Sequence, residues 1–422
     1  MPANWSVVPA GYLFRREKRT GFDEQPLLSV YRDHGVIPKD SRDDNFNKAS
    51  EDLGTYQLVE PMDLVINKMK AWQGSLGVSA HRGIVSPAYF VASPTRSFNR
   101  RFVHYLLRCT DYSVEYQTRS AGIRVNQWDL DWDGFRRIPV VLPPESDQER
   151  IANFLDEKTA RIDALIAEKE RLVERLRDYQ YSYSSHLMTR GMHAETTMVL
   201  SSFPELGKVP SHWGIKRLKF LGNVRSGVAK GKDLGERATV SLPYLRVANV
   251  QDGYLDLAEV NEIEVPELEA PKYLLRKGDV LMNEGGDNDK LGRGTIWQGQ
   301  IDPCIHQNHV FAVRLYDTCL AEWVSRFTST DAARAYFFLR SKQSTNLASI
   351  NQENVRELPV PMPPADERAA ILAELQRSSA ATADLLEHAI AHIERLREYR
   401  SSLISAAVTG QLKIAPKGFT EK

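Results

Sequence analysis

Ile138-Pro139-Val140-Val141-Leu142-Pro143-Pro144 is written a second time, 220 positions on, as Leu358-Pro359-Val360-Pro361-Met362-Pro363-Pro364. The same offset pairs Ile151 with Ile371, Leu155 with Leu375, Leu165 with Leu385, Leu176 with Leu396, Tyr179 with Tyr399 and Thr189 with Thr409, without a gap. Upstream the echo is looser. Asp63-Leu64-Val65-Ile66-Asn67 answers Asp279-Val280-Leu281-Met282-Asn283 at an offset of 216. Two halves thus share one plan, a variable domain followed by a long helix.

Each Pro-Pro stops a strand and starts a helix, because proline cannot donate to a ladder yet fits a first helical turn. The acids that follow, Asp147 and Glu149 in one copy and Asp366 and Glu367 in the other, suit the positive end of a helix dipole. No Gly or Pro interrupts the next forty residues, and Gly191 and Gly410 mark the ends. Large side chains recur on a 4-3 rhythm: Ile151, Leu155, Ile162, Leu165, Leu172, Leu176 and Tyr179, then Ile371, Leu375, Leu385, Leu396, Tyr399 and Leu403. Such a seam requires a partner helix, and the simplest partner for each is the other. Ser378 and Thr382 interrupt the second seam, which predicts looser packing there. A helix from about 145 to 189 would run roughly 65 Å, about two turns of B-DNA.

The fold class expected is α+β: two mixed α/β domains separated by two long helices packed as an antiparallel coiled coil, with a pseudo-twofold internal repeat. The boundaries are a first domain at 1–142, a spacer helix at 143–191, a linker at 192–208, a second domain at 209–362, a second spacer helix at 363–414 and a tail at 415–422. Within the domains, 63–69, 84–91, 279–282 and 310–315 read as strands, and 101–108 and 321–340 as helical.

Composition is that of an ordinary globular chain, 42% apolar and 26% charged over 422 residues. The opening residues hold no signal-peptide core, and no stretch is long and apolar enough for a membrane span, so a cytoplasmic location is expected. Cys109, Cys304 and Cys319 form no disulfide framework. Net charge is zero, but charge is segregated. Residues 66–124 carry nine Lys/Arg against two acids, 206–232 carry seven bases and no acid, and 252–269 carry seven acids and no base. A surface with one phosphate-facing side has this pattern.

The layout resembles the specificity subunits of type I restriction-modification enzymes over essentially the whole chain. The likeness rests on Pro143-Pro144-Glu145-Ser146-Asp147-Gln148 and Pro363-Pro364-Ala365-Asp366-Glu367-Arg368, on Ile151 to Asp156 and Ile162 to Ile166, and on Leu403 to Gly410. In the second domain, Val209-Pro210-Ser211-His212-Trp213, Pro243 to Val250, Asp289 to Gly294 and Gln307 to Phe311 look like strands and loops of a target-recognition domain. The first domain matches through Leu27 to Val30, His34 to Pro38 and Asn67 to Met69. The second copy departs from the pattern in carrying Glu367-Arg368 where Glu-Gln is usual. The resemblance implies a non-catalytic reader of a bipartite duplex-DNA target, docked to two methyltransferase subunits. Those partners would supply the S-adenosylmethionine chemistry on adenine, and restriction/motor subunits would use ATP and magnesium.

For the reading itself, Lys68, Lys70, Arg82 and Arg124 in the first half and Lys230, Lys232, Lys290 and Arg293 in the second are the candidates, being bases in Gly-rich or polar segments. Asn67 and Asn283 recur at a strand end, as turn caps in preference to DNA contacts. Gly227 to Lys232 is one residue short of a phosphate loop and has Asp233 where Ser or Thr should be. Cys304, His306 and His309 lack a fourth zinc ligand, and Asp287-Asn288-Asp289 lacks the later oxygen donors of a calcium loop. No metal site is expected, and no methyltransferase or complete Walker motif is present. The competing reading is a protein-only coiled-coil scaffold without DNA reading; a self-sufficient enzyme is the third.

Overall fold

The computed structural model describes residues 2–32, 34–41, 52–124, 127–231, 235–286, 291–343 and 348–415. The chain divides into two compact units, Met1–Arg171 with Ala389–Lys422, and Leu172–His388.

The first unit begins with β1 (Ser6–Pro9), β2 (Phe14–Glu17), β3 (Leu28–Tyr31), β4 (Gly35–Pro38), β5 (Gln57–Val59), β6 (Leu64–Asn67), β7 (Leu76–Val78), β8 (Gly83–Val85) and β9 (Tyr89–Pro94). Then come α1 (Arg100–Arg108), α2 (Thr110–Arg119), β10 (Ser120–Arg124), β11 (Gln127–Leu130), α3 (Trp132–Arg136), β12 (Pro139–Leu142) and the long helix α4 (Glu145–Arg190). The second unit holds β13 (Met198–Leu200), β14 (Lys208–Pro210), β15 (Gly214–Arg217), β16 (Gly222–Ser226), β17 (Thr239–Leu245), β18 (Asn261–Pro266), α5 (Ala270–Tyr273) and β19 (Val280–Asn283). It continues through β20 (Gly285–Gly286), β21 (Gly294–Ile296), β22 (Ile305–His306), β23 (Val310–Leu315), α6 (Ala321–Thr328), α7 (Asp331–Arg340), β24 (Lys342–Gln343) and β25 (Ala348–Ser349). Last are α8 (Gln352–Arg356), β26 (Pro359–Met362) and the second long helix, α9 (Ala365–Val408).

The repeat read from sequence is a repeat of topology. One four-stranded sheet runs β2-β9-β6-β7 and the other β16-β23-β19-β21, and a two-stranded ribbon β1-β12 matches β15-β26. Leu64 pairs with Ala92 and Val280 with Val313, so the offset of 216 carries register as well as composition. Both central strands are buried along their whole length, which is why they read as unbroken apolar runs. Asp63 and Asp279, each almost fully buried, accept from the backbone N–H three residues upstream, Glu60 and Arg276. Asp63 also meets Arg19, and Asp279 meets Arg225 at 2.9 Å and Arg314 at 2.6 Å, so neither carboxylate is buried unpaired. The turn between takes a positive φ in both, 79° at Met62 and 94° at Gly278.

Several boundaries differ from expectation. Residues 84–91 are two strands, because Gln57 Nε2, donating to the Tyr89 carbonyl at 2.7 Å, holds the chain in a bend from Ser86 to Ala88. Residues 321–340 are two helices, broken where the Thr330 hydroxyl caps the second by accepting from Ala333 N–H. The segment 192–208 is not purely linker: β13 pairs with β14 in antiparallel register.

The long helices end as the glycines indicated, Gly191 at φ 78° and Gly410 at φ 75°. They pair antiparallel in each unit. In the first unit Arg400 meets Asp163 at 2.8 Å and Arg397 meets Glu170 at 2.7 Å. In the second unit Tyr183 donates to Glu374 at 3.1 Å, and Ser378 and Thr382 both donate to the Gln180 side-chain oxygen, at 3.2 and 3.0 Å. The polar interruption is therefore a hydrogen-bonded layer, with Thr382 buried, and not a loosened one.

The seam itself is half as expected. Ile151, Leu155, Ile162, Ile371 and Leu375 are buried, and Leu176, Leu396 and Leu403 partly so. Leu165, Leu172, Tyr179, Leu385 and Tyr399 are exposed, at 40–58%. The second inward row runs one position later, through buried Thr159 and Val173 and partly buried Ile166 and Gln180 on α4, and through buried Ile393 and Ala407 and partly buried Leu386 and Arg400 on α9. A 4-3 count started one residue early lands on the flank of the interface.

Candidate nucleic-acid interface

The end of β6, the start of β7, the start of β9 and the end of β2 share one edge of the first sheet, as the pairs Asn67–Tyr89 and Ile66–Leu76 require. The matching edge of the second sheet gathers Ser226, Asn283, Gly294 and Val310. From these edges the basic loops emerge.

Lys68 and Lys70 follow β6 directly, as expected, and Lys70 is exposed. Lys68 meets Asp129 of β11 at 3.3 Å, so part of its charge is spent on positioning that strand. Arg124 is in β10, opposite Gln127. Arg82 stands apart from these: it precedes β8 and meets Glu60 at 3.5 Å, at the other end of β6. In the second unit Arg293 precedes β21 at the equivalent edge, where its carbonyl accepts from Asn283 N–H. Lys230 lies beyond β16, lining a cleft of about 190 Å³ with Glu264, Glu269 and Tyr273. Lys232 and Lys290 fall outside the described residues, as does the Asp287-Asn288-Asp289 triplet.

Asn67 and Asn283 are interior residues: Asn283 is fully buried and its side-chain amide donates to the Val250 carbonyl at 2.8 Å. The Cys304-His306-His309 set does not converge. Cys304 and His306 are buried, the latter with Nδ1 2.6 Å from the Val310 carbonyl, while exposed His309 meets Glu284. Burial holds the His306 imidazole neutral, its pKa down to about 4, and pushes the Cys304 thiol up to about 12. Among the described residues no group of His, Cys, Asp or Glu is placed to hold a metal. Gly227 has a packing reason: a Cβ there would lie 1.9 Å from the His306 carbonyl oxygen.

Sequence reading missed three features of this edge. Trp72 and Trp128 meet edge-on at 5.2 Å, with Trp72 Nε1 donating to the Met69 carbonyl at 3.1 Å. The ribbons β10–β11 and β24–β25 also reach the edge. The aromatic pair had a faint signal in two tryptophans on either side of a basic stretch; the ribbons, two to five residues per strand, had none.

The comparisons bear on this geometry. No family model matches the chain. It is 22% identical to the type I restriction enzyme EcoKI specificity subunit of Escherichia coli (strain K12), over 98% of this chain and 90% of that one. It is also 22% identical to the StySPI specificity subunit of Salmonella potsdam, with the same coverage, and to the MjaVIII specificity subunit of Methanocaldococcus jannaschii, over 99% and 95%. Over nearly its full length the chain thus resembles type I restriction enzyme specificity subunits. The fold of the chain agrees. It superposes with a TM-score of 0.68 on a chain from a structural study of complex assembly and conformational transition of the type I R-M system, over 98% of this chain and 99% of that one at 14% identity. On the HsdS subunit from Thermoanaerobacter tengcongensis the score is 0.50, over 98% of both chains at 14% identity. Among the described residues, no helix is long and apolar enough to cross a membrane.

Proposed function

We propose that each unit reads one half of a split duplex-DNA target, and that the chain has no catalytic role of its own. The observation that carries this is the repeated edge: two sheets of one topology, each sending basic loops from equivalent strand ends. Lys70, Arg124, Lys230 and Arg293 serve as the phosphate and base contacts, with Lys232 and Lys290 beside them in sequence. Helices α4 and α9 act as the spacer that sets the unread gap.

The chain docks two methyltransferase subunits, one per unit. Support comes from the exposed flank of the helix pairs. By the Arg400–Asp163 and Arg397–Glu170 contacts, Leu165 and Tyr399 stand level in the first unit, and Tyr179 and Leu385 hold the corresponding places in the second. A partner that binds twice in the same way needs such a twice-written apolar surface. S-adenosylmethionine chemistry belongs to those partners, and ATP and magnesium to restriction/motor subunits where they accompany it. Cellular DNA as ligand puts the chain in the cytoplasm.

Selection from a random duplex library with the modification subunit present should enrich two short blocks at a fixed gap. Affinity should fall about 10³-fold or more between 50 and 200 mM salt, as for six or more phosphate contacts. A single continuous block, or salt-insensitive binding, would leave the scaffold reading in its place. Inserting a heptad into both helices should lengthen the gap or abolish recognition; an unchanged gap contradicts the spacer role.

A further inference from the structure

The ribbons β10–β11 and β24–β25 are one element built twice. Each follows the second of two short helices, α2 or α7, and leads into a short capped helix, α3 with Asp131 or α8 with Asn351. Each is tied to the sheet by the same bond. Leu130 N–H donates to the Lys68 carbonyl at 3.0 Å and Ile350 N–H to the Glu284 carbonyl at 2.8 Å, in both cases to the residue directly after the buried Asn that closes the central strand.

The side chains on this shared backbone differ completely. Lys68, which meets Asp129 of the ribbon, answers Glu284, which meets His309 outside it, and partly exposed Trp128, edge-on to Trp72, answers buried Ala348. Met69 is 47% exposed beside Lys70, whereas the second unit has Gly285 and Gly286 there, paired with Ser349 and Ala348. Lys342 and Gln343 of β24 are exposed. Where the fold dictates a residue, as at Asp63/Asp279 and Asn67/Asn283, the copies agree; on these ribbons it holds the backbone and leaves the surface open.

We infer that the ribbons are the specificity-determining elements, resting on the DNA-reading function above: Trp128 and Met69 make apolar contact with base edges in one half-target, and Lys342 and Gln343 read the other by hydrogen bonds. Apolar side chains in the major groove select the thymine methyl, and a Gln amide suits adenine. Trp72 is a positioning residue, since its indole N–H is committed to the Met69 carbonyl.

The test is methylation mapping of DNA from cells expressing the full chain with its modification partner. Trp128→Ala should relax discrimination at one or more bases of one block by about 10- to 100-fold, as for loss of one good base contact, leaving the other block unchanged; Gln343→Ala should do the reverse. Trp128→Phe, which keeps a ring against Trp72, should relax the same block while the chain still assembles on size-exclusion chromatography. A split motif untouched by all three variants, or relaxed in both blocks by any one, overturns this inference alone. So does a uniform loss of methylation at an unchanged motif in Trp128→Phe, which would mark the tryptophan as structural. No split motif from the unsubstituted chain overturns the DNA-reading function beneath it.

Discussion

Trp213 Nε1 donates to Glu367 Oε2 at 3.1 Å, fastening the second domain to the first turn of α9. The first unit repeats the arrangement with Trp5 and Asp147, at 3.4 Å. Each tryptophan also abuts the glycine that ends the other long helix. A Cβ on Gly191 would lie 3.2 Å from the Trp213 ring, and one on Gly410 3.0 Å from the Trp5 ring. One indole thus joins a domain, a helix start and a helix end.

Trp213→Ala should destabilise the second unit by about 3–5 kcal/mol, the range for deleting a buried aromatic. Trp213→Phe should cost about 1–3 kcal/mol, chiefly the lost bond to a partly buried carboxylate. Urea unfolding checks both; a Trp213→Phe loss near zero would show that the hydrogen bond does nothing.

The Gln180 layer makes a sharper prediction through its asymmetry. Gln180→Ala should cost about 1–3 kcal/mol, because buried Thr382 loses its acceptor. Replacing the layer whole, as Gln180→Leu with Ser378→Ala and Thr382→Val, should recover most of that loss or exceed the parent stability. A combined variant worse than the single one would contradict the account.

The turn before each central strand separates conformation from packing. A Cβ on Gly278 would touch nothing within 4 Å, so Gly278→Ala should cost about 1 kcal/mol through its φ of 94° alone. A neutral Gly278→Ala in thermal unfolding would refute this.

Acid should destabilise both units. His306 is held near pKa 4 by burial, and His104 near 3 by burial and then by the Arg108 charge, both below the ordinary 6.5. Between 6.5 and the folded values the unfolded chain binds more protons, so stability is full above about pH 6.5 and falls as pH drops towards 4 and 3. For His306 the loss is roughly 3 kcal/mol. His306→Gln should flatten that slope in pH-dependent urea unfolding of the second unit; an unaltered slope would show that the imidazole is already charged in the fold.

How much of this the sequence revealed depended on sequence distance. The doubling was plain from Ile138–Pro144 and its copy, since strand stops, helix starts and buried strands are local patterns. The seam was legible on the row of Leu155, Ile162 and Leu176 but not on the other, because its inward positions include the polar Thr159, Gln180 and Arg400 while leucines at 165 and 172 face out. Of the charged candidates, Lys68, Lys70 and Arg293 fall at equivalent edges; Arg82 falls elsewhere, since nothing in its sequence shows which end of a strand it occupies. Lys68's partner, Asp129, is sixty-one residues away, and no local pattern announces it.

The claim on which all else depends is that two matched domains each read a block of DNA. Its most direct measurement is the methylation profile of cells carrying the modification partner, with and without this chain. The account predicts adenine methylation at two short blocks separated by a constant gap, appearing only when the chain is present. Methylation at one uninterrupted block, or a profile indifferent to the chain, would contradict it.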